Sequence, residues 1–218
     1  MFPLNIITDK RRIETTSDKV FRVLPPNQKC SLNGRTYRLM LGRSEYEIFC
    51  PEIEDDEARY LFVPEFMIPG RPYPIYVYLY AAVLYSSNPK MGQREAAEKT
   101  RKRFDLQKFS HTTLGRAMKK MEALIKTDGN EPNRDNESNE SPQAGARCFP
   151  SVELTAKRRY TVLSYLKEAS GQDDQLIQEP SRPQPSLNYK HPPYTGAFVE
   201  ACHRIVDYTF KKYHRFLL

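Results

Sequence analysis

Glycine is scarce in this chain. There are nine in 218 residues and none is arranged as GxGxxG or a Walker loop, which excludes the common glycine cradle for nucleotide phosphates. Cysteine is thinner still. Cys30, Cys50, Cys148 and Cys202 lie far apart, form no CxxC pair and follow no secretory signal. They read as small apolar residues in a reduced, cytoplasmic setting rather than as disulfides. No window approaches the roughly 18–20 uninterrupted apolar residues of a membrane span, so no membrane partner is expected. Hydrophobic residues make up 39% and mean hydropathy is −0.70, too little for one core along the whole length. Part of the chain must be linker.

Catalytic groupings are missing as well. Glu52, Glu54, Asp55, Asp56 and Glu57 cluster, but within what reads as a hairpin loop, where they are simply solvated. The other acids are scattered, and the linker-rich C-terminal region has no room for a nuclease domain setting three carboxylates around two metal ions. Ser110 and His111 are adjacent at a helix start and so point in different directions, which suits capping better than nucleophile and base. The chain is therefore read as no enzyme, with no cofactor and no small-molecule substrate.

What is present is positive charge in one place. Residues 1–89 carry eleven basic and eleven acidic side chains, whereas residues 90–126 carry eleven basic and four acidic. The net +7 of that segment equals the formal net charge of the whole protein. A basic cluster so confined is either the electrostatic footprint of a phosphate-binding surface or a solvated lysine-rich helix face.

The elements around it can be laid out from periodicity. Residues 1–19 read as an N-terminal arm. VFRVL (20–24), RTYRLML (35–41), EYEIFC (45–50) and ARYLFV (58–63) are short β-branched and aromatic runs, expected as a small antiparallel sheet with Gly42 in a tight turn. Four prolines between Pro64 and Pro74 predict a stiff extended connector, closing a unit over 20–74. IYVYLYAAVLYSS (75–87) is apolar nearly all round and reads as a buried helix, with a strand as the competitor.

Helical character resumes over 93–104, with Ala97, Thr100 and Phe104 on one face. Ser110 then caps a helix whose stripe is Leu114, Ala117, Met118, Met121 and Ile125, with Thr112, Arg116, Lys119 and Ala123 opposite. Residues 127–151 lack aromatic and branched aliphatic side chains until their last few positions, which predicts a disordered linker. The remaining 152–218 read as two helices around a proline-rich linker. The stripe of the second is Phe198, Val199, Cys202, Ile205, Val206, Thr209, Phe210 and Tyr213. Those stripes must be covered by each other, by the N-terminal part or across a homodimer.

A buried helix, a second helix, a turn and a capped third helix over 75–126 is the arrangement of a helix-turn-helix reader of double-stranded DNA. Ala96 and Ala97 supply the small residues where two helices cross. His111, Thr112, Thr113 and Arg116 are placed to touch base edges or phosphate, with Lys119 and Lys120 near the backbone. Arg94, Lys99, Arg101, Lys102 and Arg103 add sequence-independent attraction. Ala97 to Leu114 spans seventeen residues, longer than the spacing of about ten in compact units. A ligand-free helical hairpin is the alternative.

NGRTYR (33–38), IFCPEIEDDEARYLFVPEFMIPGRPYP (48–74) and REAAEKTRKRFDLQKFSHTTLGRAMKKMEAL (94–124) carry a family likeness. Over residues 20–126 the chain resembles an uncharacterised, transposon-associated helix-turn-helix family of Gram-positive bacteria. That family is similar to the N-terminal head of insertion-sequence transposases, a zinc-ribbon-like sheet followed by helix-turn-helix. Relatives with a metal place CxxC knuckles at both ends of the ribbon; here single cysteines, Cys30 and Cys50, stand there, and Ile53 falls where a partner would. Two thiolates do not complete a tetrahedral zinc site, and His111 belongs to the reading helix. The expected fold is thus α+β: a degenerate, metal-free zinc-ribbon-like sheet held by Tyr37, Leu39, Ile48, Phe49, Leu61 and Phe62, then a helix-turn-helix bundle, a linker and two helices. The resemblance implies a mobile-element regulator or accessory protein. A protein-interaction module, or an inactive transposase remnant whose basic helices dock an acidic partner, is the rival.

Overall fold

A computed structural model describes residues 33–54, 59–64, 66–127, 152–171, 176, 196–213 and 217–218, together with the backbone of strands at 4–8, 13–16 and 22–24. The class is α+β. Among the described residues six antiparallel strands come first: β1 (Leu4–Thr8), β2 (Ile13–Thr16), β3 (Arg22–Leu24), β4 (Gly34–Leu41), β5 (Ser44–Glu54) and β6 (Arg59–Pro64). Their order is β2-β1-β6-β5-β3, with β4 also paired to β5. β4 and β5 form a hairpin in which Leu41 faces Ser44. Its two-residue loop starts with Gly42 at φ 59°, the conformation that makes glycine the residue of choice there.

Two features differ from expectation. The stretch read as an N-terminal arm contains β1 and β2, and β1 pairs along β6 from Leu4 opposite Pro64 to Thr8 opposite Tyr60. Strand β5 also continues through Cys50 and Pro51 to Glu54, so Glu52 and Glu54 stand in a strand and not in a loop. Glu52 accepts from Arg35 across the β4–β5 pair at 3.4 Å. Residues 55–58 lie outside the described residues, as do Cys30, Cys148 and the linker at 128–151.

The proline-rich connector is not extended. Amides of Met67 and Arg71 donate to the carbonyls of Pro64 and Ile68, closing two turns, and Gly70 takes φ 75°. Prolines remove donors, but Phe66, Met67 and Ile68 between them are apolar enough to pull the segment inward, and all three are buried. The Met40 amide donates to Pro72 O at 2.7 Å, fastening the connector to β4.

Five helices with described bounds follow among the described residues: α1 (Ile75–Ser87), α2 (Gln93–Arg103), α3 (His111–Lys126), α4 (Val152–Ser170) and α5 (Ala197–Tyr213). The all-round apolarity of α1 has a direct cause, because it packs against each of the other four. Tyr80 sends ring edges to Phe104 at the end of α2 and to Phe198 of α5, with centroids 5.3 and 5.9 Å away. Tyr76, fully buried, bonds through its hydroxyl to His203 Nε2 of α5. α4 lies on α1, α3 and α5, and Tyr165 meets Thr209 at 2.8 Å. Phe198, Val199, Cys202, Ile205, Val206 and Phe210 are all buried. The stripes that raised the question of a homodimer are therefore covered inside one chain, each large residue contributing roughly 1.5–3 kcal/mol by burial.

Of the residues expected to hold the sheet, Leu39, Ile48 and Phe49 are buried and Tyr37 and Leu61 half-buried. Phe62 lies outside the described side chains. Cys50 joins this core at 0% exposure, and burial pushes its thiol up to about 12. Cys202 is likewise buried, with its thiol driven well above the ordinary value. Neither is available as thiolate near neutrality. Among the described residues no group of three or more His, Cys, Asp or Glu could hold a metal ion.

Candidate nucleic-acid interface

α2 is short and strongly polar, and its charges are ordered along its axis. Glu95 sits in the first turn and Arg101, Lys102 and Arg103 in the last, which suits the helix dipole at both ends. Ala96, Ala97 and Thr100 are buried, so the remaining surface carries the charge. Two of its cations are spoken for: Lys99 pairs with Glu95 at 3.0 Å and Lys102 with Glu98 at 2.8 Å, each one turn apart. The Lys102 hydrogen bond and charge hold the Glu98 carboxyl below its usual range.

The turn from α2 to α3 is long, as the seventeen-residue spacing required, yet every part is fixed. Leu106 N–H donates to Arg101 O at 2.9 Å and Asp105 N–H to Lys102 O at 3.4 Å, with Asp105 at φ 48°. This is a Schellman stop with aspartate in the place usually held by glycine. The Asp105 carboxylate accepts from Arg43 Nε at 3.0 Å, and Gln107 donates to Arg43 O at 3.3 Å, so the β4–β5 hairpin tip props the turn. Phe104, Leu106 and Phe109 are buried, Phe109 meeting Tyr73 edge-on at 5.4 Å. Tyr73 donates through its hydroxyl to Lys108 O.

Ser110 then starts α3 as expected, accepting from Thr113 N–H at 3.1 Å. The Thr113 hydroxyl lies 3.0 Å from Ser110 Oγ. Thr113, half-buried and engaged in this cap, is the expected reader that the structure assigns a local job instead. Leu114, Ala117, Met118 and Met121 are buried at 5% exposure or less. His111, Thr112, Arg116, Lys119 and Lys120 are all exposed, with Thr112, Arg116 and Lys119 on the flank opposite that stripe. Gly115 sits where α3 passes the start of α2; a Cβ there would come 3.1 Å from Gln93 Oε1.

Sequence reasoning missed the anchor at the other end of α3. Glu122 is only 9% exposed and lies between Lys126, at 2.8 Å, and Arg158 of α4. Burial alone would raise its carboxyl, but hydrogen bonds from Arg158 and Lys126 outweigh that and hold it low. The signal was available: Glu122 is the one acid on the buried side of α3, one turn after Met118.

Arg94, Arg101, Arg116, Lys119 and Lys120 form no ion pair among the described residues, and all are exposed, although the charge of Arg101 also helps to hold Glu98 low. Arg103 is half-buried at the end of α2. The expected site residues thus divide into five exposed cations outside any ion pair among the described residues, two cations paired with neighbours, the half-buried Arg103, the exposed His111 and Thr112, and Thr113 used as a cap partner.

No protein-family model, curated protein or solved structure matches this chain. Among the described residues no helix is long and apolar enough to cross a membrane.

Proposed function

We propose that this chain binds double-stranded DNA through α3, with the exposed face of α2 adding phosphate attraction, and that it does so without catalysis. One observation carries the reading. The side chains of α3 that would meet a duplex, His111, Thr112, Arg116, Lys119 and Lys120, are exposed while the helix is held from behind by its buried stripe. A capped N-terminus, a braced turn and the Glu122–Arg158 pair hold α3 at both ends, as an element that must enter a groove requires.

Charge supports it too. The five site arginines and lysines that form no ion pair among the described residues concentrate positive potential where phosphates would lie. The roles follow from chemistry. Arg116 can reach two acceptors of a guanine edge, Thr112 a thymine methyl or a base acceptor, and Lys119 and Lys120 the phosphates. A cytoplasmic setting agrees with two buried free thiols, Cys50 and Cys202. The link to mobile elements rests on the likeness over residues 20–126.

The test is fluorescence anisotropy with a random-sequence duplex pool, followed by selection and sequencing of the bound sites. Binding that weakens with salt and with Arg116→Ala, and an enriched motif that Arg116→Ala relaxes, is the expected result. Undetectable binding to any duplex, with tight binding to polyglutamate, overturns it in favour of an acidic protein partner.

A further inference from the structure

We propose that the cleft between the end of α1 and the outer side of α4 is a binding site for a small carboxylate with an apolar or aromatic body. The cleft has a volume of about 370 Å³ and is lined by Ser86, Pro89, Thr155, Ala156, Arg159, Tyr160 and Leu163. Its size suits a compact ligand and its wall is mostly apolar, with few polar groups.

Arg159 gives the site its chemistry. Its guanidinium lies over the Tyr85 ring at 3.7 Å. Nη1 donates to the carbonyls of Asn88 and Pro89 at 3.0 and 2.9 Å, and Nη2 to Met91 O at 2.8 Å. Four neutral contacts fix the plane of this cation, yet none supplies a negative charge. Its Nε–H has no acceptor among the described residues, although that atom is closed to solvent. A cation held in a half-buried place by dipoles alone is a prepared anion site, because the cost of orienting it is already met by the fold.

Ser86 provides an independent sign. It is 7% exposed, and its Oγ is buried without a partner among the described residues. Serine in a helix normally bonds back to the preceding turn or reaches water, and here it does neither. Rotation about its single χ1 angle turns the hydroxyl toward an oxygen seated in the cleft. At the rim Tyr160 is 75% exposed, an unusual position for a large ring, and no described residue covers it. A carboxylate beside Arg159 and Ser86, with its ring or alkyl body between Pro89, Leu163 and Tyr160, supplies the guanidinium with the missing charge, the rotated Ser86 hydroxyl with an acceptor, and the rim with apolar cover.

The experiment needs no DNA, so its outcome is independent of the proposed function. Amide and side-chain spectra of the full chain are recorded while benzoate, phenylacetate or hexanoate is added, with benzyl alcohol as the neutral match for benzoate. Saturable shifts at Ser86, Ala156 and Tyr160 are expected from at least one acid, with a dissociation constant of about 1 mM for so small a probe. Benzyl alcohol should bind at least about tenfold more weakly, having no charge to pair. Arg159→Gln should abolish binding but also loosens residues 88–91, so Ala156→Phe, which fills the cleft from an exposed position, is the second variant. It should lose the acid while melting as the parent does. Absence of saturable binding by all three acids, equal binding of benzyl alcohol, or binding retained in Ala156→Phe would each overturn the proposal.

Discussion

The salt dependence of duplex binding gives the sharpest check on the charge distribution, because counterion release counts phosphates. Arg94, Arg101, Lys119 and Lys120, exposed and in no ion pair among the described residues, are the cations proposed for the DNA backbone, with Arg116 kept for a base edge. Four phosphate contacts give a slope of log K against log salt of about −3.6, so raising salt from about 50 to 200 mM should weaken binding about 150-fold. Lys120→Ala removes one contact; its slope should flatten to about −2.7, a loss of about 40-fold over the same range. The ion pairs on α2 add a change of opposite sign. Lys99 and Lys102 are held by Glu95 and Glu98, so Glu95→Gln with Glu98→Gln should free two cations, tighten binding at low salt and steepen the slope toward about −5.4. Fluorescence anisotropy with one labelled duplex across a salt series reads all three. Equal slopes for the parent, Lys120→Ala and the double glutamine variant would show that these faces do not meet phosphate, and the assignment of the interface would fail.

Three further predictions concern how α3 is held. Ser110→Ala removes the acceptor for Thr113 N–H, costing about 1 kcal/mol and lowering the melting temperature by roughly 2–4 °C; Ser110→Asp should restore it, and an unchanged melt for the alanine variant would deny the cap any weight. Gly115→Ala should stabilise by about 0.5–1 kcal/mol through helix propensity, because the nearest atoms a new Cβ meets belong to the flexible end of Gln93; a lower melting temperature would mean that Gln93 cannot give way. Glu122 is held below its ordinary range in the folded chain, so its contribution is present above the unfolded carboxyl value, near pH 4.3, and is lost as pH falls through the lower folded value. Glu122→Gln should therefore cost roughly 2 kcal/mol at neutral pH and flatten part of the acid-side decline in denaturant midpoint, whereas parallel pH profiles would discount the pair.

Much of this architecture was legible in periodicity. Strands at 22–24, 34–41 and 59–64, the glycine turn, the buried α1 and the Ser110 cap all announce themselves locally. In each the hydrophobic period, or a single special residue, agrees with the final structure. What could not be read was set by distant partners. Leu4–Thr8 is too short and too close to charged residues to declare a strand until β6 lies beside it. The proline segment was misjudged because backbone restriction was weighed above the apolar Phe66, Met67 and Ile68. The site was legible as a face, since exposure on α3 follows from its stripe. Its anchors were not, because Arg43 reaches Asp105 across 62 residues and Arg158 reaches Glu122 across 36.

The enclosure of α1 bears on how this molecule can be divided. A span running from residue 75 to 126 looks from its pattern like a transferable cassette, yet its axial rod is also roofed by segments contributed from beyond residue 151. Excised alone, that cassette would present a greasy seam formerly hidden beneath Phe198 and its companions. Grafting α3 onto another scaffold therefore means transplanting its lid as well.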